Sequence, residues 1–131
     1  MDGFIDTQEL IGETVKFSSN NSYIRCKMIN SYRQGLSIVN SHFGYCQMCE
    51  FSESGKTYGT SPMAGVDAEQ GYTHYADRGQ KNWLFEKCKF ENNYGSGLSL
   101  HWGTYNSSVV GSYFIKNDES ANNGIYIPKD S

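Results

Sequence analysis

The chain has 131 residues, enough for one domain. Eleven Lys and Arg against fourteen Asp and Glu leave a net charge of −3, and tyrosine dominates the aromatic residues with ten copies. No cluster of Lys and Arg supplies a nucleic-acid footprint, and no apolar run reaches membrane-spanning length.

Taken in chain order, Met1 to Val15 has no basic segment followed by an apolar one, so no export signal is expected. The same stretch, extended to Phe17, is read as a degraded coil with Val15 and Phe17 in its last strand. From Tyr23 onward a phrase returns four times. A small residue is followed two places later by a bulky apolar one: Cys26 and Met28, Cys49 and Phe51, Cys88 and Phe90, Ser112 and Phe114. Residues two apart on a strand share a face, so each pair is inward-facing. Three residues before each pair stand Tyr23, Cys46, Phe85 and Val109, with Trp83 two places before Phe85. The three-residue step from Phe85 to Cys88 breaks strand parity and predicts a bend at Glu86 and Lys87. A polar turn then leads to Gly35, Gly65, Gly97 or Gly124, each opening a third strand: Leu36/Ile38, Val66/Ala68, Leu98/Leu100 and Ile125/Ile127. At these glycines a positive φ or a close approach is expected.

A repeat of this length with three short alternating segments per unit predicts an all-β parallel β-helix, a solenoid of about four coils forming a single domain over 1–131 or a piece of a longer one. The wording of Glu86-Lys-Cys-Lys-Phe-Glu-Asn-Asn-Tyr-Gly-Ser-Gly-Leu-Ser-Leu, and the match from Tyr23 to Ile127, resembles the right-handed parallel β-helix of the pectate-lyase-like superfamily. That resemblance implies a right-handed coil and a polysaccharide-related role, in a phage tailspike or a bacterial carbohydrate-active protein. It carries over no catalytic motif. Cys46-Gln-Met-Cys49, with His42 upstream, has the form of a zinc or redox pair. The repeat accounts for all four cysteines as small buried hydrophobes, the reading adopted here, which suits folding in a reducing cytoplasm. Gly95-Ser-Gly97 is a turn, and Asn20-Asn-Ser and Asn106-Ser-Ser are sequons too short to carry weight.

Coil two breaks the pattern. Long loops at 52–64 and 70–82 flank its third strand, and long loops in a compact scaffold are usually functional. They carry Lys56, Tyr58, Tyr72, His74, Tyr75 and Arg78, a set suited to hydrogen bonding and stacking on sugars. With Val66 and Ala68 inward, Asp67 and Glu69 point outward, level with Ser99 and His101 of the next coil. Alternate residues lie about 6.6–6.8 Å apart and neighbouring strands about 4.8 Å. Two carboxylates and an imidazole are therefore expected on one small exposed patch, at a spacing that suits inverting glycoside hydrolysis, with mutual repulsion raising one carboxyl pKa. The expected site is Asp67 and Glu69 as acid and base and His101 as an auxiliary group. Lys56, Tyr58, Tyr72, His74, Arg78 and Trp102 are expected to bind substrate. No metal or cofactor is expected, although paired carboxylates leave calcium open.

The expected function is a glycoside hydrolase-like domain acting on a polysaccharide or cell-surface glycan. A non-catalytic adhesin or phage tail module and a cation-dependent polysaccharide lyase are the alternatives. The expected setting is a virion tail or the extracellular space. Weak caps at both ends predict end-to-end association or a homotrimer.

Overall fold

Short strands separated by sharp bends follow from apolar residues that alternate for only three or four positions before parity breaks. The computed structural model describes residues 4–6, 9–11, 14–16, 18–56, 58–69, 81–101, 104–118 and 124–127. The N-terminal segment contributes β1 (Phe4–Asp6), β2 (Glu9–Ile11), β3 (Thr14–Lys16) and β4 (Ser18–Ser19). Coil one holds β5 (Ser22–Ile24), β6 (Lys27–Ile29) and β7 (Leu36–Val39). Coil two holds β8 (Ser41–His42), β9 (Tyr45–Gln47), β10 (Glu50–Ser52) and β11 (Val66–Glu69). Coil three holds β12 (Leu84–Glu86), β13 (Lys89–Glu91) and β14 (Leu98–Leu100), and coil four β15 (Ser108–Val110), β16 (Tyr113–Ile115) and β17 (Ile125–Tyr126).

Equivalent strands of successive coils pair in parallel and build three faces. One is β5-β9-β12-β15, the second β6-β10-β13-β16, and the third β1-β7-β11-β14-β17. The register superposes the repeat: Phe51 lies opposite Met28 and Phe90, and Val66 opposite Leu36 and Leu98. The chain is thus an all-β parallel β-helix of about four coils, and among the described residues no helix is long and apolar enough to cross a membrane.

The core is the set of stacks that the repeat predicts. Cys49 and Cys88 lie buried in one column, with Cys26 partly buried at its end, beside Met28, Phe51 and Phe90. Phe51, Phe90 and Phe114 stack with ring centroids 5.2 and 4.6 Å apart. All four cysteines are free thiols. The Cys49 and Cys88 thiols donate to the carbonyls of Tyr23 and Cys46 one coil away. Contact with the Cys49 thiol and burial both push the Cys46 and Cys88 pKa values up, so these two stay protonated.

The predicted bend is real and recurs: Arg25, Met48, Lys87 and Gly111 take left-handed φ values of 54°, 52°, 52° and 58°. The third-strand glycines answer to close approach instead. A Cβ on Gly35 or Gly65 would meet the carbonyl oxygen of the next coil's glycine at 2.6 Å. At the turn before them, Asn93 and Asn117 form a buried ladder, Nδ2 of Asn93 donating to Asn117 Oδ1 at 2.8 Å and to the Phe51 carbonyl at 3.0 Å.

Two expectations are corrected at the ends. Val15 belongs to β3, which pairs antiparallel with β2, and the strand that continues the third face is β1, paired with β7; Phe17 lies outside the described residues. At the other end Ile125 and Ile127 are 41 and 63 % exposed rather than buried, because coil four is the outermost coil among the described residues.

Candidate functional site

Asp67 occupies the middle of β11, between Ser37 and Ser99 on the neighbouring strands. Val66 and Ala68 pack into the core, so alternation sends the Asp67 carboxylate to the outer side of the third face. The expected exposed patch is corrected here. Asp67 is 1 % exposed and Ser37 and Ser99 are also buried, with the His101 ring set against Asp67 and Ser99. Glu69 is half-buried at the end of the same strand, opposite Val39.

His101 follows β14 and is held by its backbone N–H donating to the Ala68 carbonyl at 2.8 Å. Its Nε2 lies 2.8 Å from Ser99 Oγ and 3.2 Å from Asp67 Oδ1. The second approach has the distance of an ion pair without hydrogen-bond alignment, and Asp67 Oδ1 is buried with no hydrogen-bond partner among the described residues. Burying such an oxygen unpaired is costly, and a cationic neighbour offsets that cost. The Asp67 carboxylate accordingly raises the His101 pKa above its ordinary value against the opposing effect of burial, and Glu69 adds a smaller pull in the same direction. Both Ser99 and Asp67 address one nitrogen, so the three residues are not a serine-hydrolase relay, in which the imidazole uses opposite nitrogens.

His101 and Ser99 lie on the floor of an open cleft of about 410 Å³, within the range of small-ligand sites. One wall is the coil-two insert at Ser61, Pro62 and Met63; Tyr94, Gly95 and Ser96 of the coil-three turn, Tyr126 of β17 and Asp118 complete it. The insert is pinned from both sides. Arg33 Nε donates to the Ser61 carbonyl at 3.0 Å from coil one, and Gly95 N–H donates to the Met63 carbonyl at 2.9 Å from coil three. Tyr126 meets the imidazole edge-on, centroids 5.9 Å apart at 61°.

Of the sequence-predicted site residues, Asp67 and His101 come together at this cleft. Lys56 and Tyr58 sit exposed on the insert, Tyr58 at 90 %, and neither lines it. Tyr72, His74, Tyr75, Arg78 and Trp102 lie outside the described residues. Sequence reasoning missed Tyr94, Tyr126 and Asp118. Tyr94 sits in a turn that reads as a spacer, and Asp118 follows the last coil's Asn117, with no local signal that both turns would rise beside the insert. Among the described residues no three His, Cys, Asp or Glu side chains are grouped to hold a metal ion. The chain matches no protein-family profile, no curated protein and no solved structure.

Proposed function

We propose that this β-helix is a polysaccharide-acting module whose cleft at His101 receives a glycan, as the coil-level resemblance to the pectate-lyase-like superfamily suggests. One observation supports it above the others. A half-exposed imidazole, backed by a fully buried carboxylate, sits on the floor of an open cleft lined by two tyrosines and three serines. Aromatic faces and hydroxyls suit the apolar faces and hydroxyl rims of a sugar ring, and a solvent-facing imidazole held by a carboxylate is equipped for proton transfer. Asp67 serves as a positioning residue, since a carboxylate 1 % exposed is shut off from a glycan by the imidazole and serine above it.

A non-catalytic glycan-binding module of a tail or adhesin is the second reading. It is favoured by the burial of Asp67, which removes one member of the carboxylate pair that the sequence suggested for hydrolysis. The exposed apolar residues of coil four suit a parent assembly that adds coils or copies at that end. The test is an array of plant, capsular and cell-wall oligosaccharides probed with the wild-type protein and with Tyr94→Ala. Binding that Tyr94→Ala weakens supports a glycan cleft here. No binding to any glycan, or binding indifferent to Tyr94, would refute it.

A further inference from the structure

Asp118 stands in the cleft opposite the role that Asp67 cannot fill. It belongs to the turn after β16, and the fold fixes its backbone with unusual firmness. Its N–H is shared between the carbonyls of Asn93 and Gly95 at 3.0 and 2.8 Å. Asn117, the residue before it, is buried and donates Nδ2 to the Phe90 carbonyl at 2.9 Å. Asp118 itself takes a left-handed φ of 56°, a conformation Asp tolerates better than most residues. The interior ladder thus holds this turn, and Asp118 lines the same cleft that His101 lines. The imidazole is anchored just as firmly from the other side: Nε2 is taken by Asp67 and Ser99, which leaves Nδ1 as the nitrogen free of partners among the described residues.

We propose that His101 and Asp118 form the acid and base of a water-dependent glycosidase site, with Asp67 positioning His101. The assignment rests on the polysaccharide reading above and goes beyond it in naming the reaction and both proton carriers. His101, protonated, gives the Nδ1 proton to the glycosidic oxygen as the bond from the anomeric carbon to that oxygen breaks and its electron pair stays with the departing sugar. Asp118 takes a proton from water as the water oxygen bonds to the anomeric carbon. Solvent exchange returns both groups to their starting states, and the products are two sugars with new hydroxyls. The raised His101 pKa is what a proton donor near neutral pH requires, and a carboxylate-bearing residue lining the same cleft supplies the group that activates water in such a site. The cleft charge also selects the substrate: one imidazole and one acidic residue among serines and tyrosines suit a neutral hexopyranoside better than a polyanion.

The experiment compares wild type, Asp118→Asn and His101→Gln on reducing-end-tagged oligosaccharides from the array. Binding, release of new reducing ends and thermal midpoints are followed for each. Expected are retained binding in both variants, a loss of turnover of about 10²–10⁴-fold in each, and partial rescue of Asp118→Asn by added azide or formate. Rescue is the readout a merely structural carboxylate would not give. Glycan binding by wild type without cleavage overturns the acid–base pair and leaves the binding module. Wild-type turnover in Asp118→Asn overturns the role of Asp118 alone. No binding by wild type removes the polysaccharide reading and this assignment together.

Discussion

Gly95→Ala probes the wall of the cleft without touching any side chain proposed to act. A Cβ built at Gly95 lies 2.1 Å from the Pro62 carbonyl oxygen, and 3.2 Å from the Met63 carbonyl carbon and oxygen. Real Cβ atoms keep about 3.0 Å or more from such atoms, so the insert or the turn must retreat by about 0.9 Å. The obstacle is backbone on both sides, and Arg33 ties the insert down at Ser61, so no side-chain rotation relieves it. The Gly95 N–H to Met63 carbonyl bond stretches or breaks with the shift. Forced overpacking of this kind costs about 1–3 kcal/mol, which corresponds to a fall of about 3–15 °C in thermal midpoint for a domain of this size. A displacement near 1 Å in a positioning element lowers turnover by about 10²-fold. Calorimetry of wild type and Gly95→Ala reads the first quantity, and glycan affinity and turnover read the second. A variant with the wild-type midpoint and wild-type glycan affinity would show that the insert does not pack on Gly95 or does not form the cleft.

Asp67→Asn is expected to lower the His101 imidazole midpoint, followed by NMR, towards about 6.5; a midpoint that stays put would contradict the Asp67 contact. Because the folded His101 pKa is raised, the pair's stabilisation is fully present below about pH 6.5 and is lost as pH rises through the folded value. Stability measured against pH should therefore lose that limb in Asp67→Asn. Phe90→Ala, at a fully buried ring stacked on both faces, should cost about 3–5 kcal/mol in urea unfolding. Phe114→Ala, half-buried at the end of the ladder, should cost less than half of that, and equal losses would deny the stack. With Cys46, Cys49 and Cys88 at most 1 % exposed, a disulfide reagent should label Cys26 first and the other three only on unfolding. Immediate labelling of all four in the native protein would rule out the internal column.

The repeated phrase was enough to determine the coil. The spacing of Cys49 from Phe51 and of Val66 from Ala68 places those residues inward on the strength of strand alternation alone, and stacking of repeats then pairs Phe51 with Met28 and Phe90. The bend at Lys87 was legible for the same reason, because a three-residue step cannot be accommodated in a strand of period two. Coil two was legible as the exceptional one from its two long loops.

What alternation determines is the face on which a residue emerges, not what lies over that face. Asp67 was correctly sent to the outer side of β11, yet its burial depends on the neighbouring coils and the imidazole above it, which come from residues tens of positions away. The cleft is a product of the same distance in sequence. Ser61 to Met63, Tyr94 to Ser96, Asp118 and Tyr126 belong to three different coils and share no motif. They meet because coils stack about 4.8 Å apart, and because Arg33 and Gly95 hold the coil-two insert against its neighbours. The sequence by itself determined the solenoid and its internal columns, since these follow from local period and polarity. Only the tertiary structure decided which outward side chains are covered and which face a common space, since that depends on how the coil-two insert meets the turns of the neighbouring coils.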